Sequence, residues 1–76
     1  MLEVIVGLIR EISPYEQITE EAELIKSGIL NSLSIAGLIA QLEGEFDVEI
    51  PDDTVTADNF STPVRIMQLV AQNRRD

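Results

Sequence analysis

Neither cysteine nor histidine occurs anywhere in this 76-residue chain. Their absence excludes disulfide staples, thiol nucleophiles, Cys/His zinc sites and Ser-His-Asp triads together. Positive charge is scarce as well. Five Lys and Arg stand against 14 Asp and Glu, a formal net charge of −9. A nucleic-acid partner needs clustered cations along its phosphates and is not expected, whereas basic protein surfaces are. Aromatic residues make up 4% of the chain against 45% hydrophobic residues overall, so the core must come from aliphatic side chains, as in packed helices. At this length one domain over residues 1–76 is expected, near the lower size for a fold without staples. The apolar start MLEVIVGLIREI lacks a basic flank and a cleavage site, and Glu3 interrupts it, so it does not read as a signal peptide. Residues 27–42 carry no charge, but the stretch is too short for a membrane span and holds Asn31, Ser32 and Ser34. The expectation is a soluble cytoplasmic protein, monomeric on its own.

What is present is helical periodicity. Leu2, Ile5, Leu8, Ile9 and Ile12 recur at three- and four-residue steps and predict an amphipathic helix over residues 2–12, stopped by Pro14. Residues 13–30 then form a long connection, with a local helical turn expected at TEEAELI, where Thr19 can cap. Tyr15, the only tyrosine, is expected to be a partly buried anchor of that loop. A loop this long in so small a domain usually has a purpose. The second helix starts at Asn31 or Ser32, either of which can cap it, and Ile35, Leu38, Ile39, Leu42 and Phe46 form its core stripe. DVEIPDD ends it, with Val48 and Ile50 turned inward, and one short turn is expected between residues 54 and 60. Thr62 as cap and Pro63 at the first helical position open the last helix, with Ile66, Met67 and Val70 inward and Arg74 and Arg75 in the final turn. The fold class expected is all-α: three main helices plus one short helix.

No catalytic or metal-binding residue stands out. Asp47, Glu49, Asp52 and Asp53 cluster without the glycine and terminal glutamate of a calcium loop and read as a solvated acidic loop. Ser32 is different. It stands at the mouth of a helix, delivered there by a long loop and followed by an outward Leu33. A phosphodiester on its hydroxyl would lie beside unpaired backbone N–H groups and the positive end of the helix dipole.

LIKSGILNSLSIAGLIAQLEGEFDVEIPDD, with TADNFSTPVRI after it, resembles the acyl carrier family and its aminoacyl and peptidyl relatives. The likeness covers nearly the whole chain. It implies a small carrier bundle whose serine, at the start of the second helix and before a leucine, holds 4′-phosphopantetheine supplied from coenzyme A; by motif match that serine is Ser32. The implied function is to hold a thioester-linked acyl or aminoacyl group and present it to biosynthetic enzymes, without being an enzyme. The implied partners are a phosphopantetheinyl transferase, an adenylating ligase or acyltransferase that loads the cargo, and downstream enzymes. SGIL and NF look closer to freestanding aminoacyl or specialised-pathway carriers than to fatty-acid carriers. The chain departs from the pattern at Asn31, where the family usually has Asp, and at Ser34 and Gly37, where acids are frequent. The rival reading is an unmodified helical interaction module of the same fold, with Ser32 only a cap.

The outward face of the second helix, opposite its core stripe, consists of Leu33, Gly37, Ala40 and Gly44 with Ala36 at its margin. Two helix-interior glycines cost roughly 1 kcal/mol each against alanine. That cost favours a face kept small for close partner contact, with Asn31 beside the serine and Glu43, Glu45 and Asp47 as an acidic rim that steers approach.

Overall fold

The computed structural model describes residues 1–74. Among these residues three helices form, as the periodicity predicts: α1 (Leu2–Ile12), α2 (Ser32–Phe46) and α3 (Pro63–Gln72), with one 3₁₀ turn at Asp52–Thr54. Among the described residues there is no strand, only an isolated antiparallel bridge between Val48 and Arg74 that ties the end of α2 to the end of α3.

Burial follows the apolar spacing. Ile5, Val6 and Ile9 on α1 meet Leu38 and Leu42 from α2 and Ile66, Leu69 and Val70 from α3. Phe60, just before α3, is fully enclosed and is the largest buried side chain. α1 is the central helix, packing on both α2 and α3. Because α2 leans chiefly on α1, only Leu38 and Leu42 of its stripe are fully buried, while Ile35, Ile39 and Phe46 pack half-buried at the margin. Val48 and Ile50 turn inward as expected. Leu69, absent from the expected face of α3, is buried as well.

Several expectations require correction. The local helical turn expected at TEEAELI is limited to one turn closed by the Ala22 amide on the Thr19 carbonyl at 3.2 Å, and the Thr19 side chain does not cap it. The physical reason is tertiary: the loop's polar groups bond across to the start of α3, where the Ser61 carbonyl accepts from the Leu24 amide at 2.8 Å and the Val64 amide donates to Glu20 at 3.1 Å. Tyr15 is wholly exposed. It is a central residue, with Pro14, of a tight turn closed by the Glu16 amide on the Ser13 carbonyl at 3.2 Å, and both side chains project outward. The short turn expected between residues 54 and 60 is present at residues 57–60, where the Phe60 amide donates to the Thr56 carbonyl at 3.2 Å, and a 3₁₀ turn at Asp52–Thr54 that was not expected precedes it. Arg74 lies beyond the end of α3, past the Asn73 cap, and Arg75 falls outside the described residues.

Candidate functional site

The first loop enters the core at Ile18, Leu24 and Leu30, and the last two anchors deliver Ser32. Leu24 and Leu30 are both buried, and the Leu30 amide returns to the Leu24 carbonyl at 2.9 Å, so residues 25–29 loop out between two anchors. The reversal runs through Gly28, whose φ of 82° is the left-handed conformation that favours glycine. Chain direction into α2 is therefore set by buried leucines on one side and the helix cap on the other.

Of the two capping candidates, the structure selects Asn31, in extended conformation. Its side-chain oxygen accepts from the Leu33 and Ser34 amides at 3.0 Å each, and the Ser34 hydroxyl accepts from the Asn31 amide at 2.8 Å. This is a reciprocal capping box with serine in the place usually read as Glu or Gln. The sequence signal was Asn-x-x-Ser, and a search for acidic or amide residues alone passes over it. Ser32 is thereby released from capping. It is exposed, and its hydroxyl has no hydrogen bond among the described residues. A serine at the first helical position with an unengaged hydroxyl facing solvent is sterically fit to carry a bulky substituent.

Beside Ser32 lies a shallow open depression of about 330 Å³. Ile25 and Ile35 form one part of its wall, and Val55 and Ala57, from the connection after α2, form the other. Sequence reasoning missed these last two, because nothing local brings residues 55–57 next to residue 32.

The outward face of α2 is as expected. Leu33 is 84% exposed, and Ala36, Gly37, Ala40 and Gly44 are exposed with it. A methyl group added at Gly37 or Gly44 would touch nothing within 4 Å, so no packing inside the molecule asks for glycine there. Glu43 departs from its assigned place in a steering rim: it is half-buried, and its carboxylate accepts from the Ile50 amide at 2.9 Å, fixing the chain as it leaves α2. Lys26, the nearest cation before the uncharged stretch, makes only an exposed pair with Glu23 at 3.9 Å, a contact worth little.

Among the described residues no polar or charged side chain is buried, and no group of three or more acids is placed to hold a metal ion. No helix among them is long and apolar enough to cross a membrane. The site is thus one exposed hydroxyl at a capped helix start, beside a small apolar depression and an uncharged helix face.

Residues 3–70 match the family model described as phosphopantetheine attachment site, and the chain belongs to that family of carrier proteins. Members carry 4′-phosphopantetheine and act as substrate-bearing partners of enzymes rather than as enzymes. The chain is 31% identical over 74 residues to the D-alanyl carrier protein of Lactococcus lactis subsp. cremoris (strain MG1363), covering 95% of this chain and 94% of that protein. The D-alanyl carrier protein of Lactococcus lactis subsp. lactis (strain IL1403) is 29% identical over 76 residues, with 97% and 96% covered. Among solved structures, a chain of the Bradyrhizobium japonicum glycine:[carrier protein] ligase complexed with its cognate carrier protein and an analogue of glycyl adenylate superposes with a TM-score of 0.72. That match has 25% identity and covers 95% of this chain and 92% of that one. The all-α carrier fold, the family and its prosthetic group are in agreement.

Proposed function

We propose that residues 1–76 form one carrier domain that holds a small aminoacyl group as a thioester on a 4′-phosphopantetheine arm attached to the Ser32 hydroxyl. The observation that carries this reading is the state of Ser32: exposed, at the first position of α2, with its hydroxyl unengaged because Asn31 does the capping. The bound group supplies the thiol that a chain without cysteine lacks. The aminoacyl class is supported by the D-alanyl carrier relatives and by the glycine ligase complex whose chain shares the fold.

In this reading a phosphopantetheinyl transferase modifies the chain from coenzyme A, an adenylating ligase or acyltransferase loads it, and downstream biosynthetic enzymes in the cytoplasm unload it. The carrier works as a monomer, and tethering gives each docked active site a high effective concentration of substrate. Partners grip the outward face of α2, through Leu33, Ala36, Gly37, Ala40 and Gly44, with Asn31 at the edge of the transferase contact. A face of small uncharged side chains admits close approach, and nothing inside the fold accounts for its two glycines.

The test is treatment with a phosphopantetheinyl transferase and coenzyme A, followed by intact mass and peptide mapping. One phosphopantetheine should be added, at Ser32. Ser32→Ala should abolish the increase while changing stability by less than about 0.5 kcal/mol, since the hydroxyl bonds nothing that folding needs. An equal mass gain in that variant would rule out the assignment.

A further inference from the structure

The first turn of α2 is closed in a way that attachment alone does not require. A helix start leaves its leading amides without intrahelical partners. Here those of Leu33 and Ser34 already donate to the Asn31 side-chain oxygen, and the Asn31 amide to the Ser34 hydroxyl. Of the leading amides of α2, only that of Ser32 is without a partner among the described residues. The same end is free of charge. The first turn of α2 holds no acid, and residues 27–42 hold none in a chain with 14, although the helix dipole stabilises carboxylates at that end.

Resting on the reading of Ser32 as the attachment point, we propose that Asn31 and Ser34 are positioning residues for the arm. They hold the helix amides in a closed, neutral cap. The phosphodiester formed on Ser32 therefore bonds the Ser32 amide at most and keeps its negative charge available to a cation from the enzyme partner. A neutral cap does not repel the phosphodiester, as a carboxylate at position 31 would. Nor does it surrender the Leu33 and Ser34 amides, which in an uncapped helix form a ready anion site. The arm is thus tethered by its covalent bond but not pinned to the helix, and its phosphodiester sets a charge on the otherwise uncharged residues 27–42.

The experiment compares amide resonances of isotope-labelled protein before and after conversion by a phosphopantetheinyl transferase with coenzyme A, in the native chain and in Asn31→Gly. Glycine is the choice because it caps nearly as well as asparagine yet has no side-chain acceptor. In the native protein, conversion should shift the Ser32 amide and change exchange at Leu33 and Ser34 by less than about twofold. In Asn31→Gly, conversion should slow exchange at Leu33 and Ser34 about fivefold, the worth of one cap hydrogen bond. Equal slowing in both proteins, or none in the variant, overturns the inference while leaving Ser32 as the site. Absence of modification at Ser32 by mass mapping overturns the attachment reading and this inference with it.

Discussion

At its amino end α2 is closed by neutral groups, the Asn31 amide side chain and the Ser34 hydroxyl. At its carboxyl end the closing groups are acids: Glu43 accepts from the Ile50 amide, and Asp47 caps in left-handed conformation at φ 52°. Glu45 adds a further charge there, and no basic residue occupies the last turn. This distribution runs against the helix dipole, which favours acids at the start and cations at the end by about 0.3–1 kcal/mol per charge. A helix selected for stability alone would reverse it. The comparison teaches that the amino end is neutral at some cost in stability, and in the proposed function that is the end that carries the anionic arm and meets the partner.

The largest expected effect comes from carrying the chemistry of the acidic end to the neutral one. Gly37→Glu removes a helix-interior glycine, which should raise stability by about 0.5 kcal/mol through helix propensity, and a β-carbon at that position meets nothing within 4 Å. Docking should nevertheless weaken by about tenfold or more, because a long charged side chain has to be desolvated or has to hold the surfaces apart. Transferase kinetics at varied carrier concentration read this as a raised KM with an unchanged melting curve or a higher one. An unchanged KM would show that the smooth face is not where that enzyme binds.

The next effect separates the two closures themselves. Asn31→Ala strips the cap and should cost about 1 kcal/mol. For a domain of this size that is a fall of roughly 4–8 °C in Tm. Glu43→Ala leaves the Ile50 amide without its acceptor in a half-buried position and should cost about 1–2 kcal/mol. Both variants should still be modified at Ser32. Thermal melts with intact mass measured on the same samples check both points, and loss of modification in Glu43→Ala would mean that the acidic end bears on the site after all.

How far these ends could be read beforehand depends on how local their causes are. The end of α1 and the start of α3 were legible because Pro14 stops one, Thr62 and Pro63 open the other, and the apolar steps are regular. Ser32 was legible because helix mouth, loop and outward leucine are adjacent in the chain. The Asn31–Ser34 box is equally local, yet serine at the third position is a weak signal beside glutamate. The first loop was not legible in detail. Its path is held by bonds from Leu24 to Ser61 and from Val64 to Glu20, between segments far apart in sequence, whereas TEEAELI by itself suggests only a local helical turn. Tyr15 shows the same limit from the other side: composition makes a lone aromatic look like an anchor, while the local turn sends it into solvent. The wall of the depression at Val55 and Ala57 depends on the return path after α2, which no local pattern specifies.

The smallest effect tests whether charge, rather than shape, makes the two ends differ. Asp47 combines two unfavourable features: a left-handed backbone in a residue other than glycine, and an acid at the end of the helix where the dipole is negative. Asp47→Asn removes only the second. Asparagine tolerates the left-handed conformation at least as well as aspartate and nearly matches its shape. The substitution should therefore stabilise the fold by about 0.3–1 kcal/mol at low ionic strength, and the gain should shrink as salt screens the dipole interaction. Melting curves of native and variant protein at low and high salt measure it. A gain that persists unchanged at high salt would trace the difference to backbone conformation instead. A loss would mean that the Asp47 carboxylate stabilises the turn, so that the acidic end of α2 owes its charge to local structure rather than to tolerance.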